Sequence, residues 1–339
     1  MLYGHGDDGY RFNSEIKADF STNVWYGGEP EGLKEHIFKN WTAINKYPEV
    51  LGESLAEKIS EHHHLHPDNI LINNGSTESI YLLAQAFSKQ KTAIVTPTFS
   101  EYEDAANMYG EEASYIDWNM LESATKIKAD ILFLCNPNNP TGEIFYRVEE
   151  LLNNNPETII VIDEAFIEFT ISISSAIPLI NKYDNLIILR SLTKAYAIPG
   201  LRLGYIVSSP ALISKIKQLK FPWSVNAIAI ETGKYIFDNY SAIQIPLETL
   251  LMEKDVFVAS LQNTPVKTRK SHTHFFLAET LNGKASALKQ YLLQNWGILI
   301  RDAGNFRGLG EGYFRVATLS ADKNQLLVNA LKEWNKRFS

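Results

Sequence analysis

Apolar residues in this chain fall into short unbroken runs. Ile70-Leu71-Ile72-Asn73, Ala93-Ile94-Val95-Thr96, Ile131-Leu132-Phe133-Leu134-Cys135, Thr158-Ile159-Ile160-Val161-Ile162 and Leu186-Ile187-Ile188-Leu189-Arg190 are of this kind. Runs of that length, rich in β-branched residues and bounded by turn formers, read as strands buried on both faces. Between them the pattern is helical: Glu53 to Glu61 is amphipathic, and Asn74-Gly75-Ser76-Thr77-Glu78 opens a helix to Phe87, with Ser76 as a candidate N-cap. Pro199-Gly200 blocks a regular helix, and Leu201 to Val207 resumes a strand-like pattern. The alternation from Ile70 to Val207 predicts an α/β fold, with a mostly parallel sheet between helices. Tyr235 to Phe257 reads as one long connecting helix kinked near Pro246, leading to a small α+β domain. Strands of that domain are expected at His272–Ala278, Gly297–Asp302 and Tyr313–Ala317. The division expected is a large domain over 45–235 and a small one built from 1–44 and 236–339.

Composition narrows the function classes. The chain has 339 residues, 45% hydrophobic and 21% charged, as expected of an ordinary soluble globular protein. A formal net charge of −7, with no basic stripe, argues against nucleic acid as a partner. Cys135 is the only cysteine, so neither an internal disulfide nor a thiolate metal cluster can form. The apolar runs fall far short of the roughly 20 residues of a membrane helix, so no membrane partner is expected. Met1 to Asp7 lacks the charged and apolar regions of a signal peptide, which makes the cytoplasm the expected location.

The candidate chemistry centres on Ser191-Leu192-Thr193-Lys194, delivered by the Leu186–Arg190 strand, with Arg202 eight residues beyond the lysine. A lysine partly withdrawn from water beside another cation loses its proton readily, and the neutral amine can form a Schiff base with an aldehyde. Ser191 and Arg202 offer a hydrogen bond and a fixed charge to a phosphate. Aldehyde and phosphate together point to pyridoxal phosphate; the plain alternative is a surface lysine in a loop. Gly75 lets backbone approach closely, and the N–H groups of Ser76 and Thr77 would face an anion at a helix N-terminus. Asp163 stands at the carboxyl end of a strand, where open α/β sheets bind ligands; capping a helix is its other ordinary use. Arg301 and Arg315 are each carried by a strand and suit a carboxylate or phosphate, or else a surface ion pair. Two weaker patterns are set aside. Gly4-His5-Gly6-Asp7-Asp8-Gly9 fits G-x-G-x-x-G but follows no strand. His62 and His66 share a helical spacing, but Pro67 ends the helix and no acidic or thiolate partner stands beside them, so no metal is expected.

Ser191 to Tyr205 resembles the signature of fold-type I pyridoxal-phosphate enzymes, in the branch similar to histidinol-phosphate aminotransferase. Within that branch the chain is most similar to the threonine-phosphate decarboxylases, and the resemblance covers nearly its whole length. It implies the fold-type I architecture, pyridoxal 5′-phosphate on Lys194, and a homodimer in which Tyr47 of Tyr47-Pro48 reaches the cofactor phosphate of the partner subunit. It further implies that Phe99 stacks on the pyridine ring, that Asn139 meets the ring's 3-oxygen, and that Asp163 pairs with the ring nitrogen. His5, Asn23, Arg301 and Arg315 would serve the substrate, a small phosphorylated amino acid or amine, with Arg315 on the α-carboxylate and Arg301 on the phosphate. Asn23 lies in Asp19-Phe20-Ser21-Thr22-Asn23, after which Val24-Trp25-Tyr26-Gly27-Gly28 departs from the family's Pro-Leu-Gly type turn.

Phe166 tilts the reading. Aminotransferases of this branch carry Tyr there, whereas the similar decarboxylases carry Phe, and His5-Gly6, Pro222 to Ala227 and Ile300-Arg301-Asp302 point the same way. The resemblance therefore implies a lyase that decarboxylates L-threonine O-3-phosphate in cobalamin biosynthesis. The alternatives are an aminotransferase acting on histidinol phosphate and a non-catalytic pyridoxal-phosphate-binding or regulatory protein. In either enzyme the bond held perpendicular to the ring is the one that breaks, so orientation of the carboxylate decides the reaction.

Overall fold

The computed structural model describes residues 6–12, 15–110, 113–123 and 126–336. Its strands are, in chain order, Ala18–Asp19 (β1), Ile70–Asn73 (β2), Thr92–Thr96 (β3), Ala113–Asp117 (β4), Ile131–Cys135 (β5), Ile159–Asp163 (β6) and Leu186–Ser191 (β7). Gly204–Ser208 (β8), Val266–Thr268 (β9), Phe275–Thr280 (β10), Ile298–Leu299 (β11), Arg301–Asp302 (β12) and Tyr313–Ala317 (β13) follow.

Seven of them form the central sheet in the order β2-β8-β7-β6-β5-β3-β4. Only β8 runs against the others, pairing antiparallel with both β2 and β7. Period-two alternation explains the unbroken apolar runs. Ile160, Ile162, Leu186 and Ile188 enter the larger core on one face, while Val161, Ile187, Leu189 and Phe133 enter a second core on the other. The same alternation places Cys135, Asp163 and Ser191 on the second face, at the carboxyl ends of three neighbouring parallel strands. Arg190, one residue earlier, points to the opposite face, where buried Glu164 and half-buried Glu168 take its guanidinium.

A smaller antiparallel sheet, β12-β13-β10-β9, packs its own core with Ala18, Phe20, Phe257 and the helix Ala321–Asn335. β1 pairs in parallel with β11, so the beginning of the described chain is tied to its last third. Leu33, by contrast, packs into the large core, as does Leu250.

Three local expectations are corrected. Tyr235 to Phe257 is not one helix: Ala227–Asp238 ends at Asn239, and a new helix, Leu247–Ser260, begins after Pro246. Proline cannot donate the backbone bond that a continuous helix would need there. The N-cap position of the helix Gly75–Ala86 is Asn74, whose side chain makes no capping bond, not Ser76; Gly75 turns the chain at φ +79° and the helix starts two residues early. Finally, the strand expected from His272 begins at Phe275; Ser271 and Thr273 hydroxyls donate to the Phe275 carbonyl and hold the preceding residues in a turn.

Candidate active site

The carboxyl ends of β5, β6 and β7 meet the small sheet across a cavity of about 400 Å³. On the large-sheet side stand Ser191, Lys194, Arg202, Ser76 and Thr77. The Ser191 hydroxyl is 2.8 Å from that of Thr193. Arg202 adopts φ +55° and donates to the Pro199 carbonyl at 3.2 Å; left-handed backbone at a non-glycine residue is a strain that folds tend to keep at functional sites. Gly75 does not line the cavity but shapes it, since a Cβ there would stand 2.6 Å from the Arg202 Nη2. Gly204 is equally constrained: a Cβ would meet the Ser76 backbone nitrogen at 2.8 Å, so only glycine lets β8 run so close to the helix N-terminus.

Lys194 is partly buried in the cavity wall, its carbonyl accepting from the Trp25 N–H at 2.9 Å. Burial, followed by the nearby guanidinium groups of Arg315 and Arg202, lowers its ammonium to about 8. Asp163 is buried, with Oδ2 accepting from the Tyr102 hydroxyl at 2.6 Å and Oδ1 from the Ala165 N–H at 2.9 Å. Burial pushes its carboxyl up, and those two donors oppose the shift. Phe99 also lines the cavity, edge-on to Tyr102 at 6.0 Å. Phe166 faces the cavity and packs against Phe275 at 4.9 Å.

The small sheet contributes two arginines. Arg301 and Arg315 are directly opposed cross-strand partners on β12 and β13, only 5% and 6% exposed. Like charges so placed repel and are costly to bury. Among the described residues neither guanidinium has a carboxylate within salt-bridge distance; Arg301 donates to the Asn305 Oδ1 at 2.9 Å, and Arg315 donates to the Asn139 Oδ1 and the Ser21 carbonyl, both at 2.5 Å. Burial lowers Arg301 to about 10, and burial with the charge of Arg301 lowers Arg315 to about 9. Such a pair calls for an anion between or beside the guanidiniums.

Asn139 spends its carbonyl on Arg315, so the amide nitrogen is the donor it has left to offer. Asn23 lines the cavity at 2% exposure with both amide atoms unpartnered, which marks a site for a polar ligand. The Asp19-to-Asn23 motif gains a physical reason: the Asp19 Oδ1 accepts from the Ser21 N–H and hydroxyl, a turn that presents the Ser21 carbonyl to Arg315.

The structure thus gathers Asn23, Ser76, Thr77, Phe99, Asn139, Asp163, Ser191, Lys194, Arg202, Arg301 and Arg315 at one cavity. Tyr47 is apart: it is 85% exposed, its ring 5.3 Å from that of Trp223. His5 lies outside the described residues. Sequence reasoning missed Tyr102, Thr193 and Asp7, which line the cavity together with Gly6 of the His5-Gly6 pair. Thr193 was within the quoted signature, whereas Tyr102 carried no sequence signal at all.

These residues fit pyridoxal 5′-phosphate. Hydroxyls, helix N–H groups and Arg202 suit its phosphate; Lys194 suits its aldehyde; Asp163 suits its ring nitrogen; and the unpartnered Asn23 amide with the paired arginines leaves polar groups for a second, anionic molecule.

Comparison with known proteins gives the same picture from outside. The profile of the family described as aminotransferase class I and II matches residues 16–331. Threonine-phosphate decarboxylase of Salmonella typhimurium is 33% identical over 331 residues, 93% of this chain and 90% of that one. Histidinol-phosphate aminotransferase of Caldanaerobacter subterraneus is 30% identical over 324 residues, 90% of each chain. The crystal structure of L-threonine-O-3-phosphate decarboxylase from Porphyromonas gingivalis superposes with a TM-score of 0.90 at 36% identity, covering 94% of this chain and 99% of that one.

Proposed function

We propose that this chain, which belongs to the aminotransferase class I and II family, decarboxylates L-threonine O-3-phosphate to (R)-1-amino-2-propanol phosphate and CO2, a step of cobalamin biosynthesis. Pyridoxal 5′-phosphate is its cofactor. The observation that carries the reading is the buried Arg301–Arg315 pair, which lacks a carboxylate partner among the described residues. Two fixed cations ask the substrate for two anionic groups. L-Threonine phosphate brings a carboxylate and a phosphate on one molecule, whereas an aminotransferase would have to serve the phosphate of histidinol phosphate and the two carboxylates of 2-oxoglutarate in turn. Phe166 supports the same reading, because it sets a phenyl ring where an aminotransferase of this branch places a hydroxyl.

When bound, the cofactor supplies an electron sink for the pair left on the α-carbon. The protein's own residues do the rest. Asp163 would pair with the ring nitrogen and Phe99 would cover the ring face. Asn139 would give its amide N–H to the ring oxygen, while Ser191, Arg202 and the N-terminus of the helix Gly75–Ala86 would hold the cofactor phosphate. Arg315, fixed by two hydrogen bonds, would take the α-carboxylate and fix its orientation, and Arg301 would take the substrate phosphate; that orientation is what would select the carboxylate as the group lost. Lys194, whose ammonium is lowered to about 8, has both protonation states available near neutral pH and hands a proton to the α-carbon.

The chain works as a homodimer in this reading. Trp41, Ile44, Tyr47, Phe221 and Trp223 are exposed aromatic and aliphatic side chains that a second copy would cover, with Tyr47 delivered to the partner's cofactor phosphate. The aminotransferase reading keeps one support, the similarity to histidinol-phosphate aminotransferase. Incubation with pyridoxal phosphate and L-threonine phosphate, without any keto acid, separates the two: release of CO2 and aminopropanol phosphate is expected. Amino transfer from histidinol phosphate to 2-oxoglutarate, with no CO2 from the first mixture, would overturn the decarboxylase reading.

A further inference from the structure

Asp163 is the cavity carboxylate on which the proposed cofactor placement depends, and nothing ionic keeps it charged. Among the described residues no Lys, Arg or His side chain lies within salt-bridge distance of it. Its two oxygens have one donor each, the Ala165 backbone N–H at 2.9 Å and the Tyr102 hydroxyl at 2.6 Å. The backbone donor is common to any residue with this turn. Tyr102 is the one side chain committed to the carboxylate.

The placement of Tyr102 is over-determined. It sits in the first turn of the helix Glu101–Met108, is 1% exposed, and stacks on Phe133 of β5 with ring centroids 5.3 Å apart and planes 19° apart. Phe99 closes its other edge. A ring so confined has little freedom to swing its hydroxyl away, and a short hydrogen bond from a neutral donor to a buried carboxylate is among the stronger kinds. Without it, a buried carboxyl with one remaining donor takes up a proton and turns about its side-chain bond.

We infer that Tyr102 is a positioning residue for the cofactor: its hydroxyl fixes the orientation of Asp163 and holds it as the carboxylate that pairs with the pyridine nitrogen. This rests on the reading of Asp163 given above and adds the group that makes Asp163 fit for that task. Tyr102 itself does not touch substrate or perform a chemical step.

Tyr102→Phe keeps the ring, and so the stacking on Phe133, and removes only the hydroxyl. Two measurements test the inference without reference to turnover. Infrared spectra of the apoprotein at neutral pH should show a protonated-carboxyl band in Tyr102→Phe that is absent from the unaltered protein and vanishes in Tyr102→Phe/Asp163→Asn. Equilibrium binding of pyridoxal phosphate should weaken about tenfold in Tyr102→Phe, the usual scale of a hydrogen bond to a charged group. In the Asp163→Asn background, Tyr102→Phe should cost nothing further, because the two residues act as one unit. An unchanged spectrum with unchanged affinity would overturn the inference. So would a loss of equal size in both backgrounds, which would make Tyr102 a packing residue only. If Asp163→Asn alone bound the cofactor normally, the placement of Asp163 would fail and the cofactor part of the inference with it. Failure of the unaltered apoprotein to take up pyridoxal phosphate would instead sink the functional reading.

Discussion

At the scale of single residues the site is a problem of charge. Lys194, Arg202, Arg301 and Arg315 share one cavity with Asp163 and Asp7, and burial first, then the guanidiniums of Arg315 and Arg202, lower the lysine. The neutral amine is the nucleophile, and its fraction rises as pH passes upward through about 8 instead of the ordinary lysine range. Recombination of the apoprotein with pyridoxal phosphate should therefore accelerate with rising pH around 8, and in Arg315→Met the same curve should move to higher pH. The folded-state value is depressed, so the unfolded chain binds the extra proton. The stability contribution of this group is consequently smallest below 8 and improves as pH rises toward the ordinary lysine value. Lys194→Ala should abolish the visible absorbance of the bound cofactor; an unchanged spectrum would reject this lysine as the attachment point. Most of these residues were legible because they fall in compact motifs, Ser191 to Arg202 above all. Tyr102 was not legible, since its partner lies 61 positions further along the chain and nothing local marks it.

Elements decide what single residues then do. Gly75 begins a helix at φ +79° with Arg202 packed against it. Gly75→Ala should cost about 1–2 kcal/mol of folding stability from the left-handed backbone alone, read as a lower urea midpoint, and should weaken cofactor binding by displacing Arg202. The register of β12 on β13 sets Arg301 against Arg315. Arg301→Met removes the repulsion, so the apoprotein should gain about 1 kcal/mol. The same variant should need far more L-threonine phosphate to reach half-maximal rate, and phosphate should raise its melting temperature less than that of the unaltered protein. Both arginines were visible as strand residues; that they face each other was not, because register is a property of two strands. The segment over 235–257 shows the converse: it was read as one connecting helix kinked near Pro246, but it is two helices, the second beginning after Pro246.

At the scale of the whole molecule the feature to test is the proposed homodimer. Trp41, Ile44, Tyr47, Phe221 and Trp223 are each exposed, with the rings of Tyr47 and Trp223 5.3 Å apart, and the proposed dimer would cover them. Trp41→Glu with Ile44→Glu should shift the protein to a monomer in sedimentation and lower its activity. If Tyr47 completes the neighbouring site, mixing inactive Lys194→Ala subunits with impaired Tyr47→Ala subunits should restore activity beyond either parent, because one site of each mixed dimer is intact. Activity no higher than that of the parents would place the function of Tyr47 within its own chain or nowhere near the cofactor.

By itself the sequence determined the α/β class, the strands of the large sheet except the half-exposed edge strand β4, and the grouping of candidate residues around Lys194, because short apolar runs and compact motifs are local and survive being read one window at a time. The tertiary structure alone decided which face of the sheet carries Cys135, Asp163 and Ser191 together, how the two arginines oppose each other, and which hydroxyl holds Asp163. Those are relations between elements distant along the chain, fixed by strand register and packing, and no stretch of sequence contains both partners.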